Sequence, residues 1–132
     1  MSSANALIDP NSVIVVDDEI ELSSLFETFL IKEGYNVLSF SDSVMALEHF
    51  KRNSNRYSLI ITDMRMPGMC EIELAKNIRE INKNVKIFLM TAFDIRDLEN
   101  NPDYKATNID RLLQKPIVFS ELRKMIDTAL KK

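Results

Sequence analysis

The sequence is poor in the residues from which disulfides and glycine-rich phosphate loops are built. Its 132 residues include one cysteine, two glycines and no tryptophan. A single cysteine excludes an internal disulfide and fits a reducing cytosol, so we expect a cytoplasmic protein. Because Gly34 and Gly68 stand far apart, no glycine-rich loop is available to bind a phosphate group.

Long apolar runs and an excess of positive charge are also absent. The apolar runs stay well below the roughly 18 residues that a membrane-spanning helix needs. The formal net charge is −3, from 17 basic and 20 acidic side chains, so nothing indicates a surface for a nucleic acid backbone. We therefore expect this domain to bind neither a membrane nor nucleic acid by itself.

The length and the start of the chain predict one domain with a short lead-in. A chain of 132 residues is long enough to bury one hydrophobic core. Residues 1–11 lack a basic segment followed by a long apolar stretch, so they do not resemble a signal peptide. We expect residues 1–11 to be flexible and residues 12–132 to form the domain.

Strand-like and helix-like patterns alternate along the domain, which predicts a parallel sheet of the α/β class. The predicted strands cover residues 13–16, 36–40, 58–62, 85–90 and 109–114. The predicted helices cover residues 19–33, 42–50, 70–81, a short stretch at 94–100 that Asn101-Pro102 should stop, and 119–130.

Three of these helices carry an apolar stripe with helical spacing, which predicts the faces that pack on the sheet. The first helix should end at Gly34, and Ser41 or Asp42 should cap the second. His49, the only histidine, is expected to be an exposed helix residue. The stripes are Leu22, Leu25, Phe26, Phe29 and Leu30; Leu74, Ala75, Ile78 and Ile81; and Leu122, Met125, Ile126, Ala129 and Leu130.

Polar residues follow four of the predicted strands at the point where each strand ends. Asp17 and Asp18 follow the first, Asp63 the third, Thr91 the fourth, and Lys115 the fifth. Ligands of open parallel sheets bind outside the carboxyl ends of the strands. Carboxylate oxygens suit Mg²⁺ and an ammonium group suits phosphate, so the set predicts a site for a divalent cation and a phosphoryl group.

Each of these residues also has an ordinary structural explanation. Asp17 and Asp18 can cap a helix, Asp63 can begin a turn, Thr91 can cap a helix, and Lys115 can be a solvated surface lysine. Taken singly, the structural explanation is the better one. Four strand ends that carry this combination in order favour the functional interpretation.

The chemistry that this set supports is phosphoryl transfer to a carboxylate. Asp63 can act as a nucleophile and form an aspartyl phosphate without a general base, because a carboxylate is already ionised. Mg²⁺ held by Asp17, Asp18 and Asp63, together with Lys115, would neutralise charge on the phosphoryl oxygens. Thr91 would donate a hydrogen bond to the transferred group.

Three motifs resemble those of the response-regulator receiver domain of two-component signalling. They are VIVVDDE at residues 13–19, DMRMPGM at 63–69 and LQKP at 113–116, within a resemblance that covers roughly residues 11–131. The resemblance implies a flavodoxin-like, doubly wound (βα)₅ fold with strand order 2-1-3-4-5. It also implies a phosphoacceptor that assists its own phosphorylation and dephosphorylation and is not otherwise an enzyme.

The resemblance implies partners as well as site residues. Asp63 would receive its phosphoryl group from a phosphohistidine on a sensor histidine kinase or a histidine phosphotransfer protein, with Thr91 and Lys115 contacting that group. The change would reach a downstream effector, or an attached output domain, through the surface formed by the fourth helix, the fifth strand and the fifth helix.

The resemblance further implies the metal ligands and one backbone isomer. Residues matching Asp17, Asp18 and Asp63 hold Mg²⁺ together with the backbone carbonyl that matches Arg65. The bond between Lys115 and Pro116 is expected to be cis.

The chain departs from the family pattern near the output region. Cys70 and Glu71 replace an acid or Asn followed by Gly, and Leu112 replaces an aromatic residue. Asn101-Pro102 also predicts an atypical fourth helix. We therefore expect signalling to act by ordering or shifting residues 93–108 rather than by a side-chain rotamer switch.

Three other functions remain open at the level of sequence. A haloacid-dehalogenase-like, Mg²⁺-dependent phosphatase also uses an aspartate nucleophile. That class has Asp-x-Asp after its first strand, whereas the two aspartates of this chain are adjacent. A flavodoxin-like FMN carrier needs a phosphate loop where Asp17-Asp18-Glu19 would repel phosphate. A receiver-like docking module that works without phosphorylation would not need the complete set of acids.

Overall fold

The computed structural model describes residues 11–63, 71–91, 96 and 102–130. Its centre is a five-stranded, all-parallel sheet in the order β2-β1-β3-β4-β5. The predicted fold class and strand order are confirmed. The strands are β1 (Ser12–Val16), β2 (Asn36–Phe40), β3 (Leu59–Asp63), β4 (Lys86–Thr91) and β5 (Arg111–Gln114).

Helices connect successive strands, and their ends follow local capping rules. The Asp42 carboxylate accepts hydrogen bonds from the backbone N–H groups of Val44 and Met45, at 2.7 and 3.2 Å. Gly34 has a φ of +95°, the left-handed conformation that ends the first helix as predicted. The helices are α1 (Ile20–Lys32), α2 (Ser43–Asn53), α3 (Glu71–Ile81), α4 (Pro102–Ala106) and α5 (Phe119–Leu130).

The sheet is buried on both faces, which explains why its central strands are continuous apolar runs. Alternate residues of each strand point to opposite faces. Ile14 and Val16 of β1 pack with α2 and α3, while Val13 and Val15 pack with α1 and α5. Among the described residues, no helix combines the length and the apolar character that crossing a bilayer requires.

Two residues of the predicted apolar stripes lie at the surface. Leu25 of α1 is 55% exposed and Ile81 of α3 is 37% exposed. Leu25 stands at one edge of its stripe, where a turn of about 100° per residue carries it past the sheet. Ile81 is the last residue of α3.

His49 was wrongly expected to be an exposed helix residue. Its ring is partly buried and lies 5.3 Å from the ring of Phe40, and its Nε2 is 2.7 Å from the hydroxyl of Tyr57. Burial, followed by the charges of Arg52 and Arg56, lowers the pKa of His49. A polar residue on the rim of an amphipathic helix can complete the core when a buried hydroxyl offers it a partner.

Pro102 is the first residue of α4, which has five residues and is the fourth helix in the described part of the chain. Proline suits this position because its fixed φ is helical and its missing N–H would have no partner there. Of the helix predicted over residues 94–100, only Arg96 belongs to the described part of the chain.

One arginine ties the segment after α4 to the rest of the domain. The Arg79 guanidinium on α3 donates to the backbone carbonyls of Val85 at 2.7 Å and Asn108 at 3.0 Å. It also pairs with the Asp110 carboxylate at 3.2 Å, with only 15% of the arginine side chain exposed. Asp110 in turn accepts from the Ile87 N–H at 2.8 Å, so these bonds fix the entry to β5. We call this set the Arg79 clamp.

Replacing Arg79 with Ala should lower the free energy of unfolding by about 2–4 kcal/mol, because the carbonyls and Asp110 lose a charged donor that is largely buried. Urea denaturation measures the change. Lys76→Ala, at an exposed position of the same helix, should shift the midpoint far less. Equal shifts in the two variants would contradict a stabilising role for the clamp.

Candidate functional site

The sheet register brings Asp17 and Asp63 to the same level on adjacent strands. Val16 of β1 pairs with Thr62 of β3, and each aspartate is the next residue. The Asp17 N–H donates to the carbonyl of Phe40 on β2 at 2.9 Å, so the backbone of Asp17 continues the sheet. Both side chains are buried, with residue exposures of 1% for Asp17 and 3% for Asp63.

Asp18 completes a group of three carboxylates, which we call the acid cluster: Asp17, Asp18 and Asp63. One carboxylate oxygen from each lies within 4.8 Å of the others. Asp18 is exposed while the other two are buried, so the cluster opens to solvent on one side. Three hard oxygen ligands with an open side are suited to Mg²⁺, which keeps several of its waters.

The carboxylate of Asp17 is buried without enough positive charge around it to balance its own negative charge. Its Oδ1 accepts the N–H of Glu19 at 2.9 Å, whereas its buried Oδ2 has no hydrogen-bond partner within the described part of the structure. Burial raises the pKa of Asp17 to about 6, and the negative charge of Asp63 adds to this effect. A cation in the cluster would satisfy the orphaned oxygen.

Lys115 extends from the end of β5 to the acid cluster. Its Nζ lies 3.2 Å from Oδ2 of Asp63, and its side chain is only 19% exposed. The Lys115 N–H donates to the carbonyl of Thr91 at 2.7 Å, which anchors the lysine backbone to β4. The peptide bond to Pro116 is cis, as expected. Lys115 is therefore not the solvated surface lysine of the structural alternative.

Thr91 is buried at the carboxyl end of β4. The register pairs Asp63 with Met90, so Thr91 follows directly after the partner of Asp63. Its carbonyl accepts from Lys115, as above, and from the side-chain amide of Gln114 at 3.2 Å. The sheet thus gathers Asp17, Asp63, Thr91 and Lys115 at one edge, with Asp18 beside them. Arg65 and Cys70 lie outside the described residues.

The helix-capping alternative for Asp17 and Asp18 does not describe this site. The residue at the N-cap position of α1 is Glu19, and its side chain makes no capping hydrogen bond. Instead, the Oε1 of Glu19 lies 3.8 Å from Nζ of Lys115. Sequence reasoning missed Glu19 as part of the site. Its position directly after the two aspartates was the available signal.

The raised pKa of Asp17 predicts a stability that depends on pH in the absence of metal ions. The folded state favours the protonated carboxyl, so this contribution is complete below about pH 4 and is lost as pH rises through about 6. Asp17→Asn cannot ionise. It should raise the free energy of unfolding by about 1–3 kcal/mol at pH 8 and by much less at pH 4.

Chemical denaturation in a chelating buffer at the two pH values measures this difference. Asp127→Asn, on α5 and outside the acid cluster, is the matched control and should leave the pH profile unchanged. If Asp17→Asn is less stable than the unaltered chain at pH 8, the electrostatic account of the cluster is wrong.

Comparison with known proteins assigns the chain to one family. The family model described as the response regulator receiver domain matches residues 13–127. The response regulator receiver protein CpdR of Brucella abortus is 31% identical over 121 residues, covering 89% of this chain and 98% of that protein. The sporulation initiation phosphotransferase F of Bacillus subtilis is 28% identical over 111 residues, covering 84% and 86%.

Solved structures agree with the sequence comparisons. The response regulator protein TrrA of Thermotoga maritima, in complex with Mg²⁺-BeF, is 31% identical with a TM-score of 0.78, covering 90% of this chain and 98% of that one. A receiver domain protein from Clostridium thermocellum is 25% identical with a TM-score of 0.82, covering 91% and 94%. From its motifs, its strand order and these matches, the chain belongs to the response regulator receiver domain family.

Proposed function

We propose that this chain is a phosphoryl-accepting switch in which Asp63 receives a phosphoryl group in the cytoplasm from a phosphohistidine of a sensor histidine kinase or a histidine phosphotransfer protein. One observation carries this proposal. Asp63 is a buried carboxylate at a strand end, with a lysine ammonium 3.2 Å from its Oδ2 and two further carboxylates beside it. A buried nucleophile with a cation and metal ligands around it fits phosphoryl transfer.

The acid cluster fits Mg²⁺ on the evidence of its own chemistry. Its three carboxylates offer hard oxygen ligands, and the orphaned Oδ2 of Asp17 supports the need for a cation. Asp17, Asp18 and Asp63 would hold the ion, with the backbone carbonyl of Arg65 as the ligand that the family resemblance adds. When bound, Mg²⁺ supplies positive charge to the oxygens of the transferred group.

Asp63, Lys115 and Thr91 each have a distinct role in the transfer of the phosphoryl group. A carboxylate oxygen of Asp63 forms the new bond to phosphorus, and the bond between phosphorus and the donor nitrogen breaks. Lys115 neutralises charge on the phosphoryl oxygens, and the Thr91 hydroxyl donates a hydrogen bond to the transferred group. Burial of Asp63 and Thr91 limits the access of water, which slows hydrolysis of the acyl phosphate.

The family assignment favours this function over the phosphatase alternative. An adjacent Asp17-Asp18 pair places both acids beside Asp63 in one cluster, whereas the phosphatase class uses Asp-x-Asp after its first strand. A complete acid cluster with Lys115 also supports phosphorylation over a docking role that would not require it. We propose no turnover of a separate substrate.

We further propose that the output surface comprises the fourth helix predicted over residues 94–100, together with β5 and α5, and that an effector or an attached output domain binds it. The Arg79 clamp supports a limit on which residues move during signalling, because its bonds hold Asn108 and Asp110 against α3 and β4. The expected shift over residues 93–108 would then occur mainly before Asn108. Residues 92–95 and 97–101 lie outside the described part of the chain.

Asp63→Asn should abolish the phosphoryl adduct that forms when the chain is incubated with acetyl phosphate and Mg²⁺, because an amide oxygen is a poor nucleophile. Intact-mass spectrometry measures the adduct. Asp127→Asn keeps the acid cluster and should be phosphorylated like the unaltered chain. A full adduct on Asp63→Asn would overturn the assignment of the phosphoacceptor.

Mg²⁺ should bind to the folded chain and raise its melting temperature, since binding to the native state alone stabilises it. Asp18→Asn should weaken Mg²⁺ binding at least about tenfold by isothermal calorimetry, because one charged ligand is lost. Glu21→Gln, an exposed acid of α1, removes the same charge away from the cluster. Equal affinity in Asp18→Asn and Glu21→Gln would show that the metal ligands are wrongly assigned.

A further inference from the structure

The Lys115 ammonium is shared between two carboxylates. It lies 3.2 Å from Oδ2 of Asp63 and 3.8 Å from Oε1 of Glu19. The two acids differ in their surroundings, since the side chain of Asp63 is 4% exposed and that of Glu19 is 65% exposed. Lys115 therefore stands between the buried acceptor and an acid at the surface.

Glu19 is held in this position by the acid cluster itself. Its N–H donates to Oδ1 of Asp17 at 2.9 Å, and its carbonyl accepts the N–H of Ser23 in the first turn of α1, also at 2.9 Å. With its backbone fixed at both groups, its carboxylate points to Lys115 and does not cap the helix. Glu19 thus places a further negative charge at the mouth of a site that already holds three.

The same two residues line an open groove beside the site. The groove has a volume of about 470 Å³ and is otherwise lined by apolar and proline side chains of α1 and the segment after β5: Leu22, Leu25, Pro116, Ile117 and Phe119. The Glu19–Lys115 pair thus forms part of the wall of this groove. The charge of Glu19 opposes an anionic donor in two ways: it repels the anion directly, and it attracts Lys115, which must pair with the anion instead.

We propose that Glu19 is a positioning residue that slows the phosphorylation of Asp63 by small, doubly charged phosphoryl donors, an inference that rests on the proposed function. It acts through its charge and through its hold on Lys115, and it does not form or break a bond itself. A doubly charged donor must approach against the Glu19 charge and must draw Lys115 away from it. The consequence is that small phosphorylated metabolites phosphorylate Asp63 slowly, so the state of the switch depends less on their concentration.

The test compares initial rates of phosphorylation by acetyl phosphate with saturating Mg²⁺, followed by intact-mass spectrometry. Glu19→Gln should react about 3- to 10-fold faster than the unaltered chain at low ionic strength, and the gain should shrink as added salt screens the charge. Glu19→Asp keeps the charge and should stay close to the unaltered chain. Glu21→Gln, an exposed acid in the first turn of α1, should change the rate less than twofold.

A second readout separates positioning from a general effect on folding. The affinity for beryllofluoride in the presence of Mg²⁺ should rise in Glu19→Gln by a similar factor, while the melting temperature stays within a few degrees. Equal rates and affinities in Glu19→Gln and the unaltered chain would overturn this inference alone, as would an equal gain in Glu21→Gln. An unaltered chain that acquires no adduct would overturn the proposed function, and this inference with it.

Discussion

The burial of two carboxylates on adjacent parallel strands is the constraint on which the rest of this structure depends. Asp17 and Asp63 leave β1 and β3 at the same level, and burial of one ionised carboxylate beside another is costly. The chain offsets part of this cost with the ammonium of Lys115 and the N–H of Glu19. The remainder is seen in the raised pKa of Asp17 and in its Oδ2, which has no partner among the described residues. A cation in the cluster would relieve both.

The fold delivers this arrangement because a parallel sheet aligns the carboxyl ends of its strands. Apolar residues on both faces of the central strands leave polar side chains only where a strand ends, so the site forms at the edge of the core. Lys115 reaches the cluster because β5 is anchored to β4 through the carbonyl of Thr91. At the opposite end of β4, the Arg79 clamp holds the entry to β5.

The sequence was sufficient to predict the five strands and the convergence of Asp17, Asp63 and Lys115, because strand periodicity is a local pattern and parallel strands end at the same edge of a sheet. The strand order was predicted only from the resemblance to the receiver family. Contacts that join distant residues were not predictable in this way. Arg79 donates to carbonyls 28 and 29 residues further along the chain, and no local pattern marks such a bond. The position of Glu19 directly after the two aspartates was a local signal that it belongs to the site, but no local pattern identifies Lys115 as its partner. The start of β5 was placed too early, because Asn108 has a left-handed φ of 56° and Asp110 uses its carboxylate to accept from β4.

The function proposed for this chain requires that the carboxylate of Asp63 carries the phosphoryl group. The most direct measurement is to phosphorylate the unaltered chain, reduce the acyl phosphate with borohydride to the corresponding alcohol, and locate that alcohol by peptide mass spectrometry. We expect the alcohol at residue 63 alone. Its appearance at Asp17 or Asp18 in place of Asp63 would contradict the account, because those residues are assigned to the metal ion.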